Sequence, residues 1–72
     1  MTIEELKEIF SYHAPRPAQI HFYERLRDHA HSFAAHINMV CPESREKSLA
    51  ITKIQEAVMW ANAAIAIHDK GE

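Results

Sequence analysis

Glycine occurs once in this sequence of 72 residues, at Gly71, and no two-residue hairpin signal such as Asn-Gly or Asp-Gly is present. A phosphate-cradling glycine loop is therefore excluded, and a β-rich fold is disfavoured. Cysteine also occurs once, at Cys41, so no intrachain disulfide can form. A lone thiol fits a reducing compartment better than an oxidising one. Basic residues show no excess: 8 Lys plus Arg stand against 10 Asp plus Glu, for a net charge of −2. Proteins that coat DNA carry the opposite balance, so no DNA partner is expected. Residues 1–10 hold three glutamates and lack the basic start and apolar stretch of a signal peptide. The most apolar stretch, Ala57 to Ile67, is interrupted by Asn62 and is shorter than the ~20 residues a bilayer requires, so no membrane partner is expected.

Three prolines, Pro15, Pro17 and Pro42, supply the punctuation and divide the chain into three helical segments. The first is short. Thr2 and Glu5 form a capping box ahead of Leu6, Ile9 and Phe10. A helix this short is unstable alone and must dock, and Phe10, which continues its apolar face, is expected to pin it to the rest of the chain. Residues 11–17 form a stiff linker, because each proline biases its predecessor, Ala14 or Arg16, away from helix. Pro17 then suits the first turn of a second helix, expected over 17–40. Tyr23, Leu26, Ala30, Phe33, Ile37 and Val40 follow 3-4 spacing along it, and Ala34 and Cys41 widen the stripe. A third helix is expected from Ser44 to about His68. Its seam would be Ala50, Ile54, Ala57, Ala61 and Ala64. Leu49, Ile51, Val58, Met59, Trp60, Ile65 and Ile67 fall outside that seam, and a helix apolar on several faces needs more than one partner. The expected fold is all-α: a single domain over 1–72, with a short N-terminal helix followed by a long antiparallel helical hairpin. The surplus apolar surface predicts a homo-oligomer with Val58, Met59, Trp60, Asn62 and Ile65 in its interface. Asn62, polar among alanines, needs a hydrogen-bond partner there, and Gln55, seven residues earlier, could share a polar stripe with it.

Six histidines raise the question of metal, but no two have the three- or four-residue spacing of a helical clamp. No metal and no cofactor are expected. Nor is catalysis: Cys41 sits between Val40 and Pro42 as a small hydrophobe, and Asp28 and His29 point about 100° apart on a helix.

Three features bear on binding. Ser44 to Ser48 lies where a helix start exposes free N–H groups, with Ser44 as the natural cap. Arg45 and Lys47 sit unfavourably against the helix dipole there. Spacing alone favours a solvated, capped turn over an anion cradle. Tyr12, in the stiff linker, can either stack on a flat ligand or pin the short helix. Arg25 and Arg27, two apart, point to different sides of the second helix, and Arg27 adjoins the seam residue Leu26.

The blocks Phe10-x-Tyr12-His13-x-Pro15, Cys41-Pro42-x-Ser44-Arg45-Glu46-Lys47-Ser48-Leu49-Ala50 and Glu56-Ala57-Val58-Met59-Trp60-Ala61-Asn62-Ala63-Ala64-Ile65-Ala66 resemble the small phage anti-CBASS cyclic-nucleotide sponges. They are also similar to the helical-hairpin region of the anti-Thoeris sponges. The resemblance implies a homohexamer in the cytoplasm of an infected bacterial host. It implies that cyclic dinucleotides and cyclic trinucleotides are sequestered there without cleavage. It places the dinucleotide site on Tyr12, His13 and a basic residue of the second helix, Arg27 with Arg25 as the alternative. Other members carry a lysine at that position. It places the trinucleotide site on Ser44, Arg45, Lys47 and Ser48. A rival of another class is a helical interaction module that blocks a partner protein and leaves Trp60 exposed.

Overall fold

A computed structural model describes residues 1–69. The expected single domain extends to Glu72, so its last three residues lie outside the described ones. Three helices follow one another: α1 (Ile3–Ile9), α2 (Pro17–Val40) and α3 (Arg45–His68). Each boundary has a chemical cause. Thr2 Oγ1 accepts from the Glu5 amide at 3.0 Å, and Glu5 Oε1 accepts from the Thr2 amide at 3.1 Å, completing the capping box. Pro17 opens α2 after an extended Arg16 (φ −78, ψ 152). Cys41, extended ahead of Pro42, closes it. Ser44 Oγ accepts from the Lys47 amide at 3.1 Å and caps α3.

Helices α2 and α3 pack side by side. The polar ties at their two ends show that they run antiparallel: residues 16 and 19 meet 65 and 69, and residue 38 meets 47. The seam differs from the expected one. On α2, Tyr23, Leu26, Ala30, Ala34, Ile37 and Cys41 are half-buried, while Phe33 and Val40 are exposed. On α3, half-buried Ile51, Ile54, Val58, Ala61 and Ile65 follow 3-4 spacing, and Ala57 and Ala64 are exposed. Val58 and Ile65, expected only at an oligomer interface, thus belong to the hairpin's own seam. The larger side chains win the seam because they bury more apolar area per position.

Phe10 does not pin α1, because it is 83% exposed. Glu4, Glu5, Glu8 and Ile9 of α1 share a cleft with Ile67 and His68 of α3. Its C-terminal carbonyls are taken up locally instead. Ser11 Oγ donates to the Lys7 carbonyl, and His13 Nε2 lies 2.6 Å from the Glu8 carbonyl. A carbonyl only accepts, so Nε2 carries the proton there.

Among the described residues no apolar side chain is buried, and the two buried residues are Gln19 and Lys47. The radius of gyration is 15.5 Å, against roughly 11 Å for a compact chain of this length. The chain exposes 6027 Å², whereas a folded monomer of 8.3 kDa exposes roughly 4,600 Å². Among the described residues no helix is long and apolar enough to cross a membrane.

Candidate ligand groove and helix-end clasps

Ile20, Tyr23 and Arg27 lie three and four residues apart and share one face of α2. Asn62, Ala63 and Ala66 face them from α3, and the proline-stiffened linker brings His13 and Pro15 across the end. Together these residues line an open groove of about 450 Å³. None of them is acidic. The groove offers a guanidinium, a phenol ring, an imidazole and a carboxamide, with alanines leaving room between them. Such a set suits an anionic ligand with flat rings: the guanidinium matches phosphate geometry, and the aromatic ring can stack. Asn62 Oδ1 is buried and has no hydrogen-bond partner. Arg27 also lines the adjoining groove on the same side, with His31, Gln55 and Met59, so Gln55 and Asn62 do share one face.

The structure separates the two arginines. Arg25 lines a groove with Phe22, Leu26, His29, Ile65 and Asp69, whereas Arg27 lines another groove with His13. Arg27 and His13 are therefore brought together, and Arg25 faces a surface that holds a carboxylate. Tyr12 is 87% exposed and is not among the residues that line the groove. Tyr23, read from spacing as a seam residue, is the groove's aromatic lining. Its one-turn spacing from Arg27 was the available signal.

At the α2–α3 turn, Ser44 is committed to capping, its hydroxyl also donating to the Pro42 carbonyl at 3.1 Å. Arg45 and Ser48 are exposed. Lys47 is placed differently from the expectation that it meets a ligand: its side chain turns inward. Nζ donates to the Asn38 carbonyl at 3.0 Å and to Glu43 Oε1. Backbone chemistry explains this. The helical partner of the Asn38 carbonyl would be the amide of residue 42, which is a proline and has none. The lysine ammonium takes the place of that missing donor.

The other end of the hairpin carries a second clasp, which the sequence reading missed. Gln19 is 3% exposed. Its Oε1 accepts from the Arg16 amide at 3.0 Å, while Nε2 donates to the Ile65 carbonyl and to Asp69 Oδ2, each at 3.3 Å. Arg16 reaches the same Asp69 carboxylate at 3.0 Å. Gln19 thus caps the start of α2 and the end of α3 at once. The available signal was a glutamine at the third position of a helix opened by proline.

Of the expected interface residues, Met59 lies on the Arg27 side, and Trp60 is 70% exposed. Among the described residues no three His, Cys, Asp or Glu side chains are grouped as metal ligands would be.

One family description matches this chain: Acb2/Tad1, hairpin domain, over residues 2–66. No curated protein and no solved structure matches it significantly.

Proposed function

The chain belongs to the Acb2/Tad1 hairpin family, which binds signalling nucleotides, and from that premise we propose that it sequesters cyclic di- and trinucleotide immune messengers without cleaving them. The observation that carries this reading is the Arg27 groove: a guanidinium, an aromatic ring and an imidazole line it together with no carboxylate in the lining, Glu8 Oε2 lying 3.9 Å from His13 Nε2 outside it.

Symmetry extends the argument. The protomer's excess surface is roughly 1,400 Å², close to two standard interfaces of about 800 Å² per partner. Two interfaces per protomer build an assembly larger than a dimer, and a hexamer with two-fold and three-fold axes is the arrangement proposed. A cyclic dinucleotide has two phosphates and approximate two-fold symmetry. A two-fold axis supplies Arg27 twice, with Tyr12, exposed in the linker, reaching a base from its own or a neighbouring protomer. A cyclic trinucleotide has three phosphates. A three-fold axis supplies Arg45 and Ser48 three times, and Lys47 supports that turn from within. In this reading the assembly works in the cytoplasm of a phage-infected bacterium.

The second reading, a helical module that blocks a partner protein, draws on the exposed Trp60 and Met59. Capture followed by release tests both. The protein is incubated with a panel of cyclic di- and trinucleotides, separated from free ligand and digested, and the released nucleotides are chromatographed. Intact nucleotide from the protein fraction supports the sponge. Linearised product makes the protein an enzyme. An empty protein fraction leaves the interaction module.

A further inference from the structure

Tyr12, proposed above to stack on a base, is 87% exposed. A ring with so little cover takes its direction from the backbone that carries it. That backbone is tied on both sides. Ser11 Oγ donates to the Lys7 carbonyl, and His13 Nε2 donates to the Glu8 carbonyl at 2.6 Å. Lys7 and Glu8 belong to the last turn of α1, where carbonyls run out of donors within the helix. The residues before and after Tyr12 are thus fastened to one turn. Beyond them, Pro15 and Pro17 restrict the linker further. A segment held between two ties and two prolines has little conformational freedom left to lose when a ligand binds.

His13 is the more enclosed of the two ties. It is half-buried, and Glu8 Oε2 lies 3.9 Å from the same nitrogen. A neutral imidazole has one N–H, and here the end of α1 uses it. The neutral ring therefore lines the Arg27 groove with no donor to offer a phosphate.

We propose that His13 is a positioning residue rather than a ligand contact: its Nε2–H fastens the linker to the end of α1 and so holds Tyr12 in place to stack. This role rests on the proposed stacking of Tyr12 in the dinucleotide site and adds what holds the ring there.

The test is binding calorimetry on the full chain, with cyclic di-AMP and cyclic GMP-AMP as probes and helicity followed by circular dichroism. His13→Phe keeps a ring and removes the donor. His13→Gln keeps a donor at similar reach. Ordering the backbone of one released residue costs affinity roughly 5- to 30-fold, which is the loss expected of His13→Phe. His13→Gln should recover most of it. In a Tyr12→Ala background the same His13→Phe change should alter affinity by no more than about twofold, because no ring is left to position. A direct ligand contact, or a merely structural loss, would persist in that background. Equal losses with and without Tyr12 therefore overturn the positioning role. So does parental affinity in His13→Phe, or a His13→Gln variant as weak as His13→Phe. Failure of the underlying reading looks different. Parental affinity in Tyr12→Ala, or a parent that binds neither probe, overturns the stack and the positioning role together.

Discussion

Replacing Lys47 by methionine separates a fold-holding role from a ligand-holding one. The substitution keeps the length of the side chain but removes its donor. The Asn38 carbonyl, with Pro42 where its helical donor should be, then loses the ammonium 3.0 Å away. A hydrogen bond to a charged donor contributes about 1.5–3 kcal/mol. The Glu43 end of the contact adds little, because that carboxylate is 88% exposed and its partner charge is screened. Burying a thioether in place of an ammonium at a site 8% exposed recovers part of the loss by sparing desolvation. The net expectation is a destabilisation of about 1–2 kcal/mol. For a domain of this size that lowers Tm by about 4–16 °C. The melts are compared at one protein concentration, because an assembling protein has a concentration-dependent Tm. Glu43→Gln should stay within about 3 °C of the parent. Cyclic trinucleotide affinity, measured well below the transition, should remain within about twofold in Lys47→Met, because Nζ already faces inward. A Tm within about 2 °C of the parent would refute the account of the orphaned carbonyl. Unchanged stability with lost trinucleotide binding would return Lys47 to the ligand site.

Three further outcomes follow from the same geometry. Gln19→Leu leaves the Arg16 amide without its acceptor, while the Ile65 carbonyl keeps the Asp69 amide, and should cost about 1–3 kcal/mol, read by denaturant unfolding, whereas Asp69→Asn should cost much less because the Arg16–Asp69 pair is more than a third exposed. Arg27→Ala should weaken cyclic dinucleotide binding at least tenfold by calorimetry, and Arg25→Ala should leave it near the parental value; equal losses would contradict the separation of the two grooves. Tyr12→Ala should weaken dinucleotide binding and spare trinucleotide binding, while Arg45→Glu should do the reverse; loss of both ligands in either variant, with the oligomer intact, would refute the two-site picture.

The helix boundaries were legible because they are local. A proline at the first position of α2, a capping box at α1 and a capping serine at α3 each act within a few residues. The seam was half legible. Periodicity marks an apolar stripe, but α3 is apolar on several sides, and only the register against α2 decides that Val58 and Ile65 turn inward while Ala57 does not. The Gln19 clasp was invisible for the same reason: it joins residues 46 and 50 positions apart, through a register that hydrophobic spacing does not specify. Lys47 could have been read. A proline four residues after Asn38 announces an orphaned carbonyl, and a long cation a turn into the next helix is a natural donor. Of the candidate site, the grouping of Arg27 with His13 followed from the resemblance and from the opposed directions of Arg25 and Arg27. The addition of Tyr23 and Asn62 depended on seeing which face of each helix the linker crosses.

The division between polar ends and apolar faces bears on how this chain functions. Its buried polar contacts sit at the two ends of the hairpin, where Lys47 answers a carbonyl that α2 cannot answer itself and Gln19 adds a second donor to the Ile65 carbonyl, which also accepts from the Asp69 amide. These ties have strict geometry, so they set the register of α2 against α3. The apolar residues between them are nowhere fully buried, and their burial is non-directional. In the proposed assembly, register fixed by hydrogen bonds, combined with surfaces covered by association, would let one short chain present the same side chains repeatedly around symmetry axes. A ligand that is itself cyclic and repetitive can then be met by identical groups from several copies. On this argument a chain of 72 residues needs no large pocket of its own. It needs a rigid register, one face to cover and one face whose arginine, aromatic and amide groups remain available to an anionic ligand.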